Sequence, residues 1–445
     1  MASEILIGRP IYMEKLKSLQ GQLDIVKVIT GARRCGKSKL LSLFQTDLQI
    51  HSKVTDSQII NINLEDLLQA REIGLELNNK KMLVGYNKLL DFILAKLHPK
   101  MTYIFIDEIQ LLEDWQQVAN ALRLRKNVDV YITGSNAYMF SSDLANSFGG
   151  RYIEIKMQPF SFSEYITAYH QFAPWTFKTR DDDVNGHSLQ RVYEKYVRES
   201  GFPQTANLLG NRQLINDYLM DTVYLNTIQK DIVQRFGISD SGKLDAVVRF
   251  LFDNIGCETS LRKIERGLKA AGHSVSIATL NNYIQGLLDS YLMHKCDRYD
   301  IKGKQFLDAN SKYYVADIGL RTALLGHEDV DMGRALENIV YLELLRRGYR
   351  VSVGNVKTKF VKTVGKNERK TIEVDFVAQK PGEEIEYYQV ALYALASEET
   401  LIRELASLEE ISDNYPKFLL TMDPGNGTNK GIKRLNVLEW LADIK

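Results

Sequence analysis

The sequence has little cysteine, no long apolar run and almost no net charge, and each shortage excludes something. Cys35, Cys257 and Cys296 are its three cysteines. An odd, widely separated set builds neither a disulfide framework nor a Cys-based zinc site, so a reducing, cytoplasmic setting is expected. No uninterrupted apolar stretch approaches the ~18 to 20 residues that span a bilayer, and no apolar segment with a small-residue cleavage site is found near the N-terminus. Neither export nor a membrane partner is therefore expected. The 57 Lys and Arg against 56 Asp and Glu leave a formal charge of +1, which rules out a basic coat for nucleic acid and leaves only a local patch as a means of binding it. Pro/Gly-rich and low-complexity tracts are missing too. With 44% hydrophobic and 25% charged residues, the composition is that of a folded globular protein. At 445 residues the chain is too long for one hydrophobic core, and about two to four domains are expected.

What is present is a complete phosphate-binding loop. Gly31-Ala32-Arg33-Arg34-Cys35-Gly36-Lys37-Ser38 follows the β-branched run Asp24 to Thr30 and precedes Lys39-Leu40-Leu41-Ser42-Leu43-Phe44, whose apolar spacing is helical. Between a strand and a helix, the loop from Gly31 through Lys39 can enclose phosphates with its backbone N–H groups and the positive helix N-terminus. Gly31 and Gly36 permit the tight path, Lys37 reaches the β/γ oxygens, and the Ser38 hydroxyl is a ligand for Mg²⁺. ATP and Mg²⁺ are the cofactors this pattern calls for.

A second buried-strand run, Thr102 to Glu108, ends in two acids. Following a phosphate loop, it suits a Walker B strand, with Asp107 holding the hydration shell of the Mg²⁺ and Glu108 polarising a water for attack on the γ-phosphate. A third strand, Val128 to Asn136, ends in Ser135 and Asn136, which sense the γ-phosphate, orient the attacking water or form a polar turn. In a P-loop fold with an extra strand, this strand end lies between the two nucleotide motifs. Gln58 to Asn63 reads as a further core strand. Arg151 opens a fifth strand, as a finger from its own chain or from a neighbouring copy in a homo-oligomer, or as a surface arginine at a strand entrance. Arg33 and Arg34 are further cationic candidates. Five strands with alternating helices predict a parallel α/β sheet with its ligand at the carboxyl ends, filling residues 1–165.

Residues 166–238 read as a helical lid, broken at Ser200-Gly201-Phe202-Pro203. Residues 239–325 have the order of a winged helix: helices over Leu244 to Asn254, Ser260 to Ala271 and Ser276 to Ser290, then strands Met293 to Tyr299 and Gln305 to Tyr314. Such a fold can bind DNA through its third helix, with Arg298, Lys302 and Lys304 on the wing for phosphates. The third helix carries Thr279, Asn281, Asn282 and Gln285 without a Lys or Arg, so a protein partner is the alternative.

In residues 326–445, a helix from Arg334 to Arg347 containing Glu337 precedes the strand runs Ile372 to Val377 and Ile385 to Ala391. This resembles a restriction-endonuclease-like core. The resemblance implies an acid at Asp375 and an acid or Gln at Gln389 holding Mg²⁺, with a lysine two residues later. That residue is Ala391, which makes the core degenerate, with Glu337, Glu373, Asp375 and Gln389 as a residual metal site and nuclease activity not expected.

The order of Gly8-Arg9-Pro10, the loop from Gly31 to Ser38, Phe105 to Gln110, Thr133 to Asn136 and Gly150-Arg151 resembles a large prokaryotic family of AAA-superfamily ATP-binding proteins with a second half of unknown function. Asp300 to Lys304, Tyr314 to Gly319, Glu337-Asn338 and Glu373 to Phe376 extend the resemblance to the C-terminal half. It implies nucleotide and Mg²⁺ roles for Lys37, Ser38, Asp107 and Glu108, and an ATPase that moves its attached domains. Related signalling ATPases use a Gly-Gly-x-Pro turn against the nucleotide; here Ser200 stands at the first glycine. A nucleotide-regulated switch with little turnover, binding nucleic acid or a protein, is the alternative function.

Overall fold

The computed structural model describes residues 7–79, 82–135, 148–172, 186–238, 240–326, 330–363 and 366–443. They form two compact units, Met1–Pro159 with Asp289–Tyr291, and Phe160–Leu288 with Leu292–Lys445.

In the first unit, the β-branched runs form parallel strands β1 (Val26–Gly31), β2 (Ile59–Asn63), β5 (Thr102–Asp107), β6 (Val128–Gly134) and β7 (Tyr152–Met157). A short antiparallel pair, β3 (Glu76–Leu77) with β4 (Leu83–Val84), stands apart. The sheet order is β2-β5-β6-β1-β7, so β6 lies between the loop strand and the acidic strand, as expected. Helices α1 (Pro10–Leu19), α2 (Lys37–His51), α3 (Leu67–Ile73), α4 (Tyr86–Leu94) and α5 (Trp115–Arg123) complete it.

β1, β5 and β6 are buried at every position, the pattern of strands covered on both faces. Alternation sorts the side chains. Val28, Ile104, Ile106, Val130 and Ile132 join the α4 and α5 residues Leu89, Ile93, Trp115 and Val118 in one apolar cluster. The opposite side carries an aromatic stack, with Phe105 and Tyr131 ring centres 5.0 Å apart and Phe44 at 5.2 Å from Tyr131. Beside it Lys27 pairs with Asp129, both fully buried. Asp129 also accepts from Gly21 N at 2.9 Å and Tyr131 Oη at 3.0 Å, so the buried charge is satisfied in full.

The second unit opens with α6 (Phe162–Phe172), α7 (Gly186–Glu199) and α8 (Arg212–Asp217). Tyr218–Leu225 and Ile228–Val233 continue as helix with wider i→i+5 winding. The expected three helices and hairpin follow: α9 (Ser241–Asp253), α10 (Leu261–Ala270), α11 (Ile277–Asp289), β8 (Met293–Asp300) and β9 (Gln305–Val315). Then come α12 (Ile318–Leu325), α13 (Met332–Arg346), β10 (Arg350–Thr363), β11 (Lys366–Gln379), β12 (Ile385–Ala391), α14 (Glu398–Glu409), β13 (Lys417–Thr421), β14 (Gly427–Asn429), β15 (Ile432–Asn436) and α15 (Val437–Leu441).

One expected boundary is corrected. Residues 239–325 and 326–445 do not have separate sheets, because β8 pairs in parallel with β10 through Val353↔Arg298 to Asn355↔Asp300. A single eight-stranded sheet, β14-β15-β13-β12-β11-β10-β8-β9, runs through both segments. Asn338 ties them further: its amide donates to Val315 O and accepts from Val315 N, both at 2.9 Å, extending β9 with a side chain in place of a strand.

Candidate functional site

The carboxyl ends of β1, β5 and β6 gather the polar residues of the first unit. Gly31 ends β1 at φ +147°, and a Cβ there would lie 2.1 Å from the Met157 carbonyl oxygen, so a side chain has no room. Arg34 takes φ 65° and Gly36 φ 101°, turning the loop into α2. Ala32 and Cys35 are buried, Arg33 is half-buried, and Arg34, Ser38 and Lys39 are exposed. Burial holds the Cys35 thiol above its ordinary pKa despite the neighbouring Lys37 and Arg9, so it is a neutral packing group rather than a nucleophile.

Behind the loop lies Arg9, only 2% exposed. It donates to Cys35 O at 3.1 Å and Gln158 O at 2.7 Å and lies 4.9 Å from the Tyr12 ring centre. In the sequence Arg9 is only part of a family mark. In the structure it clamps the loop to the segment after β7, a role that only long-range contacts reveal.

Lys37, 4% exposed, donates to Gly31 O and Ala32 O at 3.1 Å each and stands 3.6 Å from Glu108 Oε1. Thr133 on β6 bridges the two acids: it donates to Asp107 Oδ1 and accepts from Glu108 N at 2.9 Å. Glu108 has φ 52°, a left-handed backbone uncommon for this residue type. Its Oε2 accepts from Gln110 Nε2 and from Ser135 Oγ at 3.1 Å. Burial alone would raise the Glu108 carboxyl, but Lys37, Gln110, Arg33 and Ser135 outweigh it and hold it below its ordinary pKa. Glu108 is anionic at neutral pH.

Among the described residues Gln110 Oε1 is buried with no hydrogen-bond partner. An orphan acceptor beside two carboxylates and a lysine fits a bound donor, such as a water ordered by a hydrated cation. Thr133 and Gln110 are residues that sequence reasoning does not single out; the alternation that turns Thr133 toward Asp107 is the signal that could have found the first. Asn136 lies outside the described residues.

Arg151 requires a correction. It precedes β7, its carbonyl accepts from Val26 N, and its guanidinium pairs with Asp24 at 3.3 Å. Since β1 and β7 are parallel with Gly31↔Met157 at the loop end, Arg151 is about 20 Å from its own loop at ~3.3 Å per residue. The finger in cis is excluded by that geometry. Arg33 stands 3.9 Å from Glu65.

The Ser200-Gly201-Phe202-Pro203 break in the second unit is one structure with Asp317-Ile318-Gly319. Asp317 accepts from Gly201 N and Leu320 N, both at 2.7 Å, capping α12; burial raises its carboxyl pKa although these bonds oppose it. Ser200 adopts φ 92°, so the glycine-type backbone survives without the glycine. A Cβ on Gly319 would lie 2.5 Å from Ser200 Cα. Gly319→Ala is therefore expected to destabilise the protein by about 1–3 kcal/mol, the usual cost of overpacking. The urea midpoint checks this, and an unchanged midpoint would mean the two turns are not in rigid contact.

The C-terminal acids do converge, but on a lysine. Lys312 of β9 lies 2.9 Å from Glu337, 2.8 Å from Glu373 and 3.9 Å from Asp375, and Tyr314 Oη donates to Glu337 at 2.6 Å. Asp375 Oδ2 accepts from Val390 N at 2.8 Å, and Gln389 accepts from Asp375 N at 3.4 Å. An ammonium therefore stands among these acids on β9, a placement that sequence spacing cannot reveal. Burial would lower the Lys312 pKa, but Glu337, Asp375 and Glu373 raise it instead. Burial and the charge of Glu337 push the Asp375 carboxyl up. Among the described residues no group of three or more His, Cys, Asp or Glu side chains is arranged to hold a metal ion. The expected residual metal site is thereby corrected to an ion cluster around Lys312.

On the wing, one expected phosphate ligand is turned inward. Arg298 is buried, paired with Glu258 and 3.7 Å from Glu373, and cannot face a phosphate. Lys302 and Lys304 are exposed, as are Asn281, Asn282 and Gln285 on α11. Among the described residues no helix is long and apolar enough to cross a membrane.

Comparison with known proteins gives three results. Residues 24–166 match an AAA domain, and residues 190–331 match a domain of unknown function (DUF8612). An uncharacterized protein from Haemophilus influenzae is 33% identical over 99% of both chains, and the uncharacterized protein MJ1544 from Methanocaldococcus jannaschii is 28% identical over 92% of this chain and 84% of its own. Among solved structures, the Walker-type ATPase PABY2304 of Pyrococcus abyssi is similar with 14% identity, 72% of this chain and 97% of that chain covered, and a TM-score of 0.44.

Proposed function

We propose that this chain, which belongs to the AAA-domain family of P-loop proteins, hydrolyses ATP with Glu108 as the group that activates the attacking water. The observation that carries the proposal is the meeting of Lys37, Asp107, Glu108, Gln110 and Ser135 at the ends of three adjacent strands. The Gly31–Lys39 loop and the N-terminus of α2 offer backbone N–H groups to phosphates, and Lys37 supplies a cation beside them. When bound, Mg²⁺ supplies charge neutralisation at the phosphate oxygens; Ser38 and Asp107 are the residues that would hold it. Turnover is then the input that moves the second unit, whose α9–α11 and β8–β9 order we read as a winged helix.

The measurement is phosphate release from ATP by the full chain with Mg²⁺. Wild-type protein is expected to turn over and Lys37→Ala to lose nucleotide binding. Equal rates in the two proteins would overturn the assignment.

A second reading has one observation in its favour. Glu108 is engaged by Lys37, Gln110 and Ser135 and held below its ordinary pKa, which makes it a weak base until those partners let go. A switch that holds ATP and turns it over slowly, with a protein or nucleic-acid partner, follows from that. Arg151, remote from its own loop, suits a finger in trans. A specific rate that rises with protein concentration and loses that rise in Arg151→Ala would support a homo-oligomeric site.

A further inference from the structure

The longest paired element of the second unit is the hairpin of β10 and β11, each 14 residues long. Its neighbours cover only its base: β8 pairs with β10 at Val353 to Asn355, and β12 pairs with β11 at Phe376 to Gln379. From Lys357↔Ile372 to Thr363↔Lys366 the two strands pair only with each other among the described residues. This free ribbon is about 20 Å long at ~3.4 Å per residue.

Its charge is distinct from that of the chain. Between Lys357 and Thr371 stand Lys357, Lys359, Lys362, Lys366, Arg369 and Lys370 against Glu368 alone. The ribbon therefore carries +5 in a chain whose total is +1, and the remainder carries −4. The register places Lys359 and Lys370 at facing positions of the ribbon. An isolated two-stranded hairpin is already marginal in water. Positive charge concentrated on a ribbon of two strands is costly for folding alone, and a polyanion relieves the cost.

We propose that the β10–β11 ribbon is a binding element for double-stranded DNA. The width of a two-stranded ribbon matches the B-form major groove, ~12 Å across, whereas the major groove of A-form RNA is too deep and narrow to admit one. The basic residues then meet phosphates on the groove walls, an interaction that positions without reading sequence. This is a different element from the winged-helix-like hairpin, and it does not depend on ATP turnover.

The test is fluorescence anisotropy of the full chain with a labelled mixed-sequence DNA duplex across a salt series, with an RNA duplex of equal length in parallel. Wild type is expected to bind DNA with a steep salt dependence and the RNA duplex at least tenfold more weakly. The variant K357Q/K359Q/K362Q/K370Q is expected to lower the magnitude of the log–log salt slope by about 3 to 4, at ~0.9 for each phosphate that is no longer neutralised, and to weaken binding at least a hundredfold at low salt. The arginine variant K357R/K359R/K362R/K370R keeps the charge and is expected to bind like wild type. An unchanged urea midpoint in the glutamine variant establishes that its weaker binding is not unfolding. The proposal is overturned if wild type shows no salt-sensitive DNA binding, if the glutamine variant binds as tightly as wild type, or if the RNA duplex binds equally well.

Discussion

Glu108→Gln is expected to leave ATP bound and to stop its turnover. The substitution is nearly isosteric, so the bond from Ser135 to Oε2 has an amide oxygen to accept it, and the backbone bond from Glu108 N to Thr133 is untouched. What is removed is the negative charge 3.6 Å from Lys37 and the ability to take a proton from water. Removing the charge frees Lys37 for phosphate and lessens repulsion of an anionic ligand, so the ATP Kd should stay the same or fall. General-base catalysis contributes typically about 10²- to 10⁴-fold, or roughly 3–5 kcal/mol of barrier, and kcat should drop by that range. Calorimetric titration with ATP and single-turnover phosphate release separate the two effects. A variant that binds normally and turns over within threefold of wild type would mean Glu108 does not activate the water. Binding abolished together with turnover would mean that its role is to hold the loop.

The expectations that rested on local pattern agree with the structure because local pattern is what produced them. The buried β-branched runs needed only their composition, and the loop from Gly31 to Ser38 only its spacing. Contacts made across long stretches of sequence behave differently. Lys27 breaks an apolar run in the sequence, yet it is fully buried because Asp129, on a strand about a hundred residues away, neutralises it. Arg9 meets Gln158, Asn338 meets Val315, and Asp317 meets Gly201; each partner is set by tertiary packing, which no periodicity encodes. Arg151 departs from expectation for the complementary reason. Its place before a strand is legible, but which end of the sheet that is depends on the strands being parallel and in register. The boundary expected at 325 fails on the pairing of β8 with β10 because a parallel pairing between distant strands leaves no turn signal between them.

Lys312→Met is expected to be the most destabilising single change in the second unit, at about 3–5 kcal/mol, the cost of breaking a buried ion pair from one side. Lys312 is 7% exposed and faces three carboxylates, so methionine fills the volume while leaving Glu337, Glu373 and Asp375 against one another. A surface lysine replaced in this way changes stability by no more than about 0.5 kcal/mol, and the two cases are easily told apart by urea midpoints. The pH dependence gives a second readout. The Lys312 pKa is raised above its unfolded value, so its contribution is complete at neutral pH and is lost only as pH rises through that raised value. In the variant Asp375, whose carboxyl is already pushed up by burial and the charge of Glu337, loses its cation and holds its proton more tightly folded than unfolded, so the cost of ionising it grows as pH rises above the ordinary carboxylate range. The deficit should therefore be larger at about pH 8 than at about pH 5. Adding Asp375→Asn removes one of the opposed charges and should recover part of the stability. A Lys312→Met deficit that is small, or the same at both pH values, would mean the acids are solvated well enough to need no internal cation.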